Sequence, residues 1–268
     1  MLKLVATDMD GTLLNDAKEM PKKTFEIIEE LRKKGVMFVA ASGRQYHSLL
    51  KLFETVKDDI LIVAENGALI LDKGEVIFKN VISQDHLQEI VAAVRQIPGT
   101  RINICGLESA YVFEKEMQDE IGENIKTYFP VVKMINTLDD LPASEQVIKL
   151  AIYDESHRAQ ETIWGGLKHL SHKYQIAVSG AEWVDIMNVG INKGKAIKKL
   201  QEKYAIEKEE TMVFGDHMND FEMMKEAYYS YAMANAIPEI KEVANFLAPS
   251  NEEQGVISIL ENFLAMTK

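Results

Sequence analysis

Short apolar runs alternate with helical patterns along the first third of the chain. The runs at residues 2–6, 36–41 and 60–64 predict strands, and apolar residues at helical spacing over 20–35 and 46–56 predict helices. Strands that are apolar on both faces and separated by helices indicate a parallel sheet with helices packed on each side. Ligands of such sheets bind beyond the carboxyl ends of the strands. Polar residues that directly follow these apolar runs are therefore the candidate functional residues.

The middle of the chain has a different pattern, with short strands in close succession. Helices are predicted over residues 85–97 and 159–174. The predicted strands are residues 101–105, 111–113, 131–135, 147–153, 176–178 and 184–187. This arrangement is typical of an α+β unit with an antiparallel sheet.

The α/β pattern returns at Lys193, with a helix that starts there and a strand at residues 212–214. The chain is therefore expected to be an α/β protein in which one domain interrupts another. We predict a Rossmann-like core with a doubly wound parallel sheet, formed by residues 1–82 and 188–268, and an inserted α+β domain at residues 83–187.

Composition and charge limit the classes of partner. The 268 residues are 47% apolar and 27% charged, which is ordinary for a soluble globular protein. The formal net charge of −12 disfavours nucleic acid and anionic membranes, because both would be repelled. The single cysteine, Cys105, cannot form an internal disulfide, and no run approaches the roughly 20 apolar residues of a membrane-spanning helix. We expect a cytoplasmic protein whose partners include no nucleic acid and no membrane.

Two carboxylates follow the first predicted strand in the segment Asp8-Met9-Asp10-Gly11-Thr12. Side chains two residues apart on an extended segment project to the same side, so Asp8 and Asp10 are expected to lie together. Their repulsion raises the pKa of one carboxyl group or demands a cation. One carboxylate could act as a metal-bound nucleophile and the other as a general acid that later serves as a base. A turn that binds calcium or caps a helix is the alternative interpretation.

Ser42-Gly43-Arg44 follows the second predicted strand and precedes a helix. A hydroxyl group and an exposed amide at a helix N-terminus can bind a phosphate oxygen, although a serine there also serves as an ordinary helix cap. Arg44 either reaches the substrate or pairs with a surface acid. Lys193, at the start of a later helix, either supplies a point charge for phosphate or is solvated.

A fourth polar cluster, after the one at Asn192-Lys193-Gly194, follows the strand at residues 212–214. It is the loop Gly215-Asp216-His217-Met218-Asn219-Asp220. Magnesium prefers oxygen ligands and retains several waters, so Asp8, Asp216 and a main-chain carbonyl could form the protein's share of its coordination. Helix capping is the alternative role for these acids.

In this order, the four clusters resemble the haloacid dehalogenase (HAD) superfamily of phosphohydrolases. The closest similarity is to the Cof-type branch (subfamily IIB, C2-capped), which has a large cap domain inserted between the second and third motifs. Glu65-Asn66-Gly67-Ala68 and the segments at residues 233–236 and 251–256 fit the same branch, so the similarity runs almost the whole length. The resemblance implies that residues 83–187 form the cap, that Mg²⁺ is the cofactor and that a monomer suffices.

The resemblance also assigns roles to individual acidic residues. Asp8 would attack phosphorus to form an aspartyl-phosphate, and Asp10 would protonate the leaving oxygen and later activate water. The Asp8 carboxylate, the Asp10 main-chain carbonyl and Asp216 would hold Mg²⁺. Asp220 is assigned to the metal site as well, where it would hold Lys193 or a metal-bound water in place.

The remaining implied roles concern the phosphoryl group. Ser42 and Lys193 would bind it during transfer and so count with the two aspartates as catalytic. The Gly43 amide and the Asn219 side chain would assist them, and Arg44 completes the substrate-binding set. Mg²⁺ and Lys193 would offset the acidic surroundings of an anionic substrate.

We therefore expect a Mg²⁺-dependent phosphatase that hydrolyses a small phosphorylated metabolite, such as a sugar phosphate or a phosphorylated cofactor, through an aspartyl-phosphate. A phosphomutase of the same superfamily would need a basic cluster in the cap, whereas the basic residues there are scattered along the sequence. A receiver-like signalling module would need neither Asp10 nor the inserted domain. A non-catalytic phosphometabolite sensor would not need the full catalytic set. The sequence leaves open the substrate and the roles of His217 and Asp185, the latter at a position where many relatives carry Glu.

Overall fold

The computed structural model describes residues 1–126, 129 and 131–266. The chain forms two compact units. The first consists of residues 1–42, 53–77 and 192–268, and the second of residues 43–52 and 78–191. The predicted domain boundaries, after residue 82 and before residue 188, lie within five residues of two of these transitions. The short segment at residues 43–52 was expected in the core and groups with the second unit.

The secondary structure comprises fourteen strands and nine α-helical segments within the described residues. The strands are β1 (Leu4–Thr7), β2 (Met37–Ala41), β3 (Leu61–Ala64), β4 (Leu69–Asp72), β5 (Glu75–Lys79), β6 (Thr100–Gly106), β7 (Ala110–Phe113), β8 (Val132–Ile135), β9 (Val147–Asp154), β10 (Tyr174–Val178), β11 (Trp183–Asn188), β12 (Thr211–Gly215), β13 (Tyr229–Met233) and β14 (Phe246–Ala248). The helices are α1 (Thr24–Lys33), α2 (Tyr46–Leu52), α3 (Gln84–Val94), α4 (Glu120–Lys126), α5 (Gly165–Leu167), α6 (Lys193–Tyr204), α7 (Phe221–Lys225), α8 (Pro238–Val243) and α9 (Gly255–Met266).

The first unit is built on an eight-stranded sheet of order β14-β13-β12-β1-β2-β3-β4-β5. The strands from β14 to β3 are parallel, and β4 runs antiparallel to β3. From β1 to β2 the chain moves across the sheet toward one edge, and from β12 to β13 it moves toward the opposite edge. Right-handed crossovers therefore put the connecting helices on opposite faces of the sheet. In agreement, α1 packs on α9, whereas α6 and α8 both pack on α7. The predicted α/β class with a doubly wound parallel-sheet core is confirmed.

Helix α1 shows how the sequence sets these elements. Its buried residues Ile27, Ile28 and Leu31 recur at helical spacing and cover the sheet. Arg32 bonds Glu29 on the solvent side. The helix ends because Gly35 adopts a left-handed conformation with φ of +73°, which glycine reaches without steric strain.

The second unit contains a six-stranded sheet of order β10-β11-β9-β6-β7-β8. All described pairs are antiparallel except β7 with β8, which is parallel. The antiparallel sheet predicted for this region is therefore found in every described pair but this one. A parallel pair needs a crossover connection rather than a tight hairpin, and the segment that contains α4 supplies it.

The predicted helix over residues 159–174 was wrong in its extent and regularity. A π-helical turn at Gln160–Trp164 leads into α5 and a 3₁₀ turn at Lys168–Leu170, and Tyr174 already begins β10. Gly165 and Gly166 weaken the helix at this point. A Cβ at 166 would lie 2.8 Å from Cδ1 of Ile97, so the Ile97 side chain would have to shift to admit it.

The hairpin of β4 and β5 was not predicted. Its turn is formed by Lys73 and Gly74, with φ of 50° and 77°. Two residues with positive φ match the twist of a tight hairpin, but lysine is an uncommon choice there, so the sequence signal was weak. No helix in the described part of the chain is long and apolar enough to cross a membrane.

We predict that Gly67→Ala destabilises the first unit more than Gly35→Ala. Both glycines have positive φ, but a Cβ at 67 would lie 2.5 Å from the Asn192 carbonyl oxygen, whereas nothing lies within 4 Å at 35. Each substitution strains the backbone by about 1–2 kcal/mol, and the clash adds to this at position 67 only. Urea unfolding followed by circular dichroism measures the difference. Equal losses for the two variants would contradict the packing described for Gly67.

Candidate active site

Three neighbouring strands of the first sheet end in candidate residues. Asp8 follows β1, Ser42 follows β2 and Asp216 follows β12. Because β12, β1 and β2 are adjacent and parallel, their carboxyl ends lie at the same edge of the sheet. The chain reverses its winding direction between β1 and β12, and such a switch point leaves a crevice at the strand ends. The sheet topology therefore brings these residues to one edge.

Lys193 connects two of the carboxylates. Its Nζ donates to Oδ1 of Asp8 at 2.5 Å and to Oδ1 of Asp220 at 2.7 Å. Lys193 and Asp220 are 0% exposed, and Asp8 is 5% exposed. The alternative of a solvated Lys193 is therefore excluded by its burial. The lysine is the first residue of α6, whose N-terminus is capped by the Asn192 side chain.

Asp220 also organises the loop that follows β12. Its Oδ2 accepts from the main-chain N–H groups of Asp216 at 3.0 Å and His217 at 3.2 Å. A Cβ at Gly215 would lie 2.6 Å from the Asp220 side chain, so only glycine permits this approach. Both oxygens of Asp220 are thus engaged within the protein.

Asp216 is held in place by the loop that follows β1. The Thr12 hydroxyl donates to Asp216 Oδ1 at 2.7 Å. Gly11 adopts φ of +78°, and a Cβ there would lie 2.4 Å from Asp216 Oδ2. The glycine that follows the Asp8–Asp10 pair is therefore required both by backbone conformation and by the close approach of Asp216.

The buried acids titrate abnormally. Burial, followed by the proximity of Asp220, raises the pKa of Asp216 to about 7. Burial also raises the pKa of Asp8, although Lys193 opposes the shift. Burial would lower the pKa of Lys193, but Asp220 and Asp8 outweigh it and raise that pKa above its ordinary value. The lysine is therefore charged, whereas the raised pKa values of Asp8 and Asp216 show that a second and third ionised carboxylate are disfavoured here without a further cation.

The three carboxylates are suitable for a divalent cation. Asp8, Asp216 and Asp220 each offer one oxygen, and these oxygens all lie within 4.8 Å of one another. When ionised, they exceed the single ammonium of Lys193 by two negative charges. Carboxylate oxygens are the ligands that hard cations such as Mg²⁺ prefer. The donor set and its excess charge therefore fit a divalent cation.

Asp10 is a partly exposed neighbour of this cluster. Among the described residues, it does not belong to the group of carboxylates that approach within 4.8 Å. One of its oxygens pairs with Lys18 Nζ at 2.9 Å, and its side chain is 37% exposed. The expectation that the Asp8 and Asp10 carboxylates lie together stays a prediction, and the negative charge of Asp10 contributes to the raised pKa of Asp216.

The other predicted residues differ in their surroundings. Ser42 is buried, and its N–H donates to the Val63 carbonyl at 2.8 Å. Asn219 follows Asp216 in the same loop, and its Nδ2 donates to Asn66 Oδ1 at 3.1 Å. Gly43 and Arg44 belong to the second unit, and their part in the site stays a prediction.

Sequence reasoning missed several supporting residues. Thr12 orients Asp216, Asn66 orients Asn219, and Asn235 donates to the Gly11 carbonyl at 2.7 Å. Asn66 follows β3 at the same edge of the sheet, so the strand-end rule that identified Ser42 could also have identified it. Nothing in the local sequence near Asn235 indicates its contact, which joins residues 224 positions apart.

Comparison with known proteins agrees with this geometry. A model of the haloacid dehalogenase-like hydrolase family matches residues 5–260. The 5-amino-6-(5-phospho-D-ribitylamino)uracil phosphatase YbjI of Escherichia coli (strain K12) is 30% identical over 268 residues, covering 98% of this chain and 96% of YbjI. The similarly named YcsE of Bacillus subtilis (strain 168) is 28% identical over 264 residues, covering 98% and 96%.

A solved structure extends the similarity to three dimensions. The crystal structure of SMU.1108c from Streptococcus mutans UA159 matches with a TM-score of 0.91 at 31% identity, covering 99% of this chain and 100% of that one. The chain belongs to the haloacid dehalogenase-like hydrolase family, and the predicted Cof-type membership is confirmed. It is a phosphatase that acts on phosphorylated substrates.

We predict that the metal-free protein loses stability as pH rises from 4 to 8. The folded-state pKa of Asp216, about 7, exceeds its ordinary value of 3.8, so its contribution is fully present below pH 4 and is lost as pH passes through 7. A shift from 3.8 to about 7 at about 1.4 kcal/mol per pKa unit gives a loss of about 4 kcal/mol. Asp216→Asn, which cannot ionise, should show a flatter profile. Urea unfolding in EDTA measures both, and identical slopes would contradict the electrostatic account.

Proposed function

We propose that the chain is a Mg²⁺-dependent phosphatase that hydrolyses a small phosphorylated metabolite through an aspartyl-phosphate on Asp8. The observation that carries this proposal is the buried contact of Lys193 with Asp8 and Asp220, beside Asp216. The cluster combines a fixed carboxylate nucleophile, a fixed positive charge and a set of oxygen ligands. Phosphoryl transfer needs mainly such positioning and charge neutralisation.

Asp8 is the nucleophile in this proposal. Its main-chain N–H donates to the Phe214 carbonyl at 3.0 Å, and Lys193 holds Oδ1, so the carboxylate has a defined orientation. One oxygen attacks phosphorus, the bond to the leaving oxygen breaks, and the phosphoryl group stays on Asp8. Water then attacks the same phosphorus atom and regenerates the free carboxylate.

Asp8, Asp216 and the main-chain carbonyl of Asp10 would hold Mg²⁺. When bound, the ion neutralises charge on the phosphoryl oxygens. Asp220 is better suited to positioning, because both of its oxygens already accept hydrogen bonds from Lys193 and from the loop. It would therefore act on the metal site indirectly, through Lys193 and the conformation of the Asp216 loop.

Asp10 would protonate the leaving oxygen and later remove a proton from water. Its side chain is 37% exposed, so it can exchange protons with solvent. A protonated Asp10 forms no ion pair, so its contact with Lys18 would be given up when it acts as an acid. Ser42 and Lys193 would bind the transferring phosphoryl group, and Asn219 would assist from a side chain held by Asn66.

The names of the relatives suggest the class of substrate to test first. YbjI and YcsE are named as phosphatases of 5-amino-6-(5-phospho-D-ribitylamino)uracil, a phosphate monoester of a polyol chain attached to a heterocycle. We propose that this chain accepts phosphate monoesters of the same kind, with sugar phosphates and phosphorylated cofactors as the next compounds in the panel. Phosphate release identifies the preferred member, and transfer to a sugar acceptor without release would indicate a mutase.

We predict that Asp8→Asn abolishes phosphate release, because the amide cannot serve as the nucleophile. Asp10→Asn should lower kcat about 10²- to 10⁴-fold, since the leaving oxygen loses its proton donor. Asp58→Asn, at an exposed carboxylate, is the matched control and should leave kcat unchanged. Phosphate release from the preferred compound measures all three. Normal turnover by Asp8→Asn would refute the mechanism.

We also predict that EDTA abolishes activity and that Mg²⁺ restores it. Independently of activity, Mg²⁺ should stabilise the wild type at pH 8 by about 2.7 kcal/mol at 100 times its dissociation constant. Asp216→Asn should lose most of this stabilisation, because a proposed ligand carries no charge. Thermal unfolding with and without Mg²⁺ checks the effect. An equal shift in Asp216→Asn would place the metal elsewhere.

A further inference from the structure

A buried ion pair lies in the second unit, outside the cluster just described. Lys149 of β9 and Asp185 of β11 are each 3% exposed, and Lys149 Nζ lies 3.2 Å from Asp185 Oδ1. Replacing a buried ion pair by well-packed apolar residues is often neutral or stabilising, so burial of two charges is weak evidence of a purely structural role. The contacts of Lys149 indicate what else the pair does.

The sheet register places the two side chains on one face. Asp185 is directly opposite Ala151 in the pairing of β11 with β9. Lys149 precedes Ala151 by two residues in β9, so its side chain projects to the same side as that of Ala151. Lys149 and Asp185 are thus diagonal neighbours, and long side chains can meet at that separation.

Lys149 also donates from Nζ to the main-chain carbonyl oxygen of Gly43 at 2.5 Å. Gly43 belongs to the same unit as Lys149 and Asp185, and it directly follows Ser42 in the chain. A charged donor makes a shorter and stronger hydrogen bond than a neutral one. Glycine has the greatest backbone freedom of any residue, so an anchored carbonyl restricts it most.

We propose that Lys149 is a positioning residue for the phosphatase reaction. Held by Asp185, it fixes the Gly43 carbonyl and so orients the segment that presents the Ser42 hydroxyl and the Gly43 amide. The inference rests on the proposed function, in which Ser42 binds the transferring phosphoryl group, and on the assisting role that the family resemblance gives the Gly43 amide. It also gives Asp185 a role, which is to hold the Lys149 ammonium in place within the sheet.

This role makes a distinctive kinetic prediction. A residue that orients the phosphoryl-binding segment affects kcat by a similar factor for every substrate, because the phosphoryl group is common to all of them. A residue that contacts the rest of the substrate would instead change KM, and by different factors for different compounds. A residue that only stabilises the fold would leave the kcat of the folded protein unchanged.

The decisive variants separate stability from positioning. Lys149→Met removes the donor and leaves Asp185 buried without its ammonium partner, so it should lower both the melting temperature and kcat. The double variant Lys149→Met/Asp185→Leu also removes the stranded carboxylate and should recover much of the melting temperature. Its kcat should stay about 10- to 100-fold below that of the wild type, as expected for a misplaced reacting group.

Two controls complete the experiment. Lys173→Met breaks the ion pair of Lys173 with Glu89 in the same unit and should leave kcat unchanged. Asp185→Asn weakens the hold on the ammonium but leaves the Lys149 donor present, so its kcat should fall between those of the wild type and Lys149→Met. Each variant is assayed with Mg²⁺ on p-nitrophenyl phosphate and on at least two natural phosphate monoesters.

The outcomes distinguish this inference from the proposed function. A wild type that releases no phosphate from any compound overturns the proposed function. If the wild type is active and the double variant has wild-type kcat, Lys149 is only structural and the inference is wrong. A loss confined to KM, or present for one substrate only, would also overturn it, because Lys149 would then contact the leaving group. A uniform loss of kcat in the stable double variant supports it.

Discussion

The contact on which the candidate site depends is the burial of the Lys193 ammonium between Asp8 and Asp220. A lysine with no exposed surface is stable only if carboxylates surround it, and each carboxylate is in turn fixed by the lysine. The start of α6 must therefore approach the ends of β1 and β12 closely. Gly67 and Gly194 permit close packing around the start of α6, because a Cβ at 67 would lie 2.5 Å from the Asn192 carbonyl oxygen and one at 194 would lie 2.5 Å from the Glu222 carbonyl carbon.

The same contact explains why the site suits a cation. One ammonium holds Asp8 and Asp220, while burial and the nearby Asp220 raise the pKa of Asp216 to about 7. A divalent cation would supply positive charge at the position where an anionic substrate must also bind. The net charge of −12 thus presents no obstacle to a phosphatase, because the local charge at the site differs from that of the whole chain.

The sequence predicts the site residues that directly follow strands. It does not predict contacts between residues that are far apart in the chain. Asp8, Ser42 and Asp216 were identified because each follows an apolar run, and the parallel sheet brings those ends together. The burial of Lys193 was not predictable from its neighbours, since an exposed helix start has the same local pattern. The contact of Lys149 with Gly43 joins residues 106 positions apart, and no local sequence pattern indicates it. The irregular helix at residues 160–170 escaped prediction because its apolar spacing resembles that of a regular helix.

The most direct test of the central claim is chemical trapping of the phosphorylated enzyme. Asp10→Asn, in which hydrolysis should be slow, is mixed with Mg²⁺ and a phosphate monoester and quenched with borohydride, which reduces an aspartyl-phosphate to homoserine. Peptide mass spectrometry then locates the modified residue. We expect homoserine at position 8 only. It should form only when substrate is present, and it should be absent when Asp8 is replaced by Asn. Modification at another carboxylate, or an unmodified Asp8 at every quench time while phosphate is still released, would contradict this account.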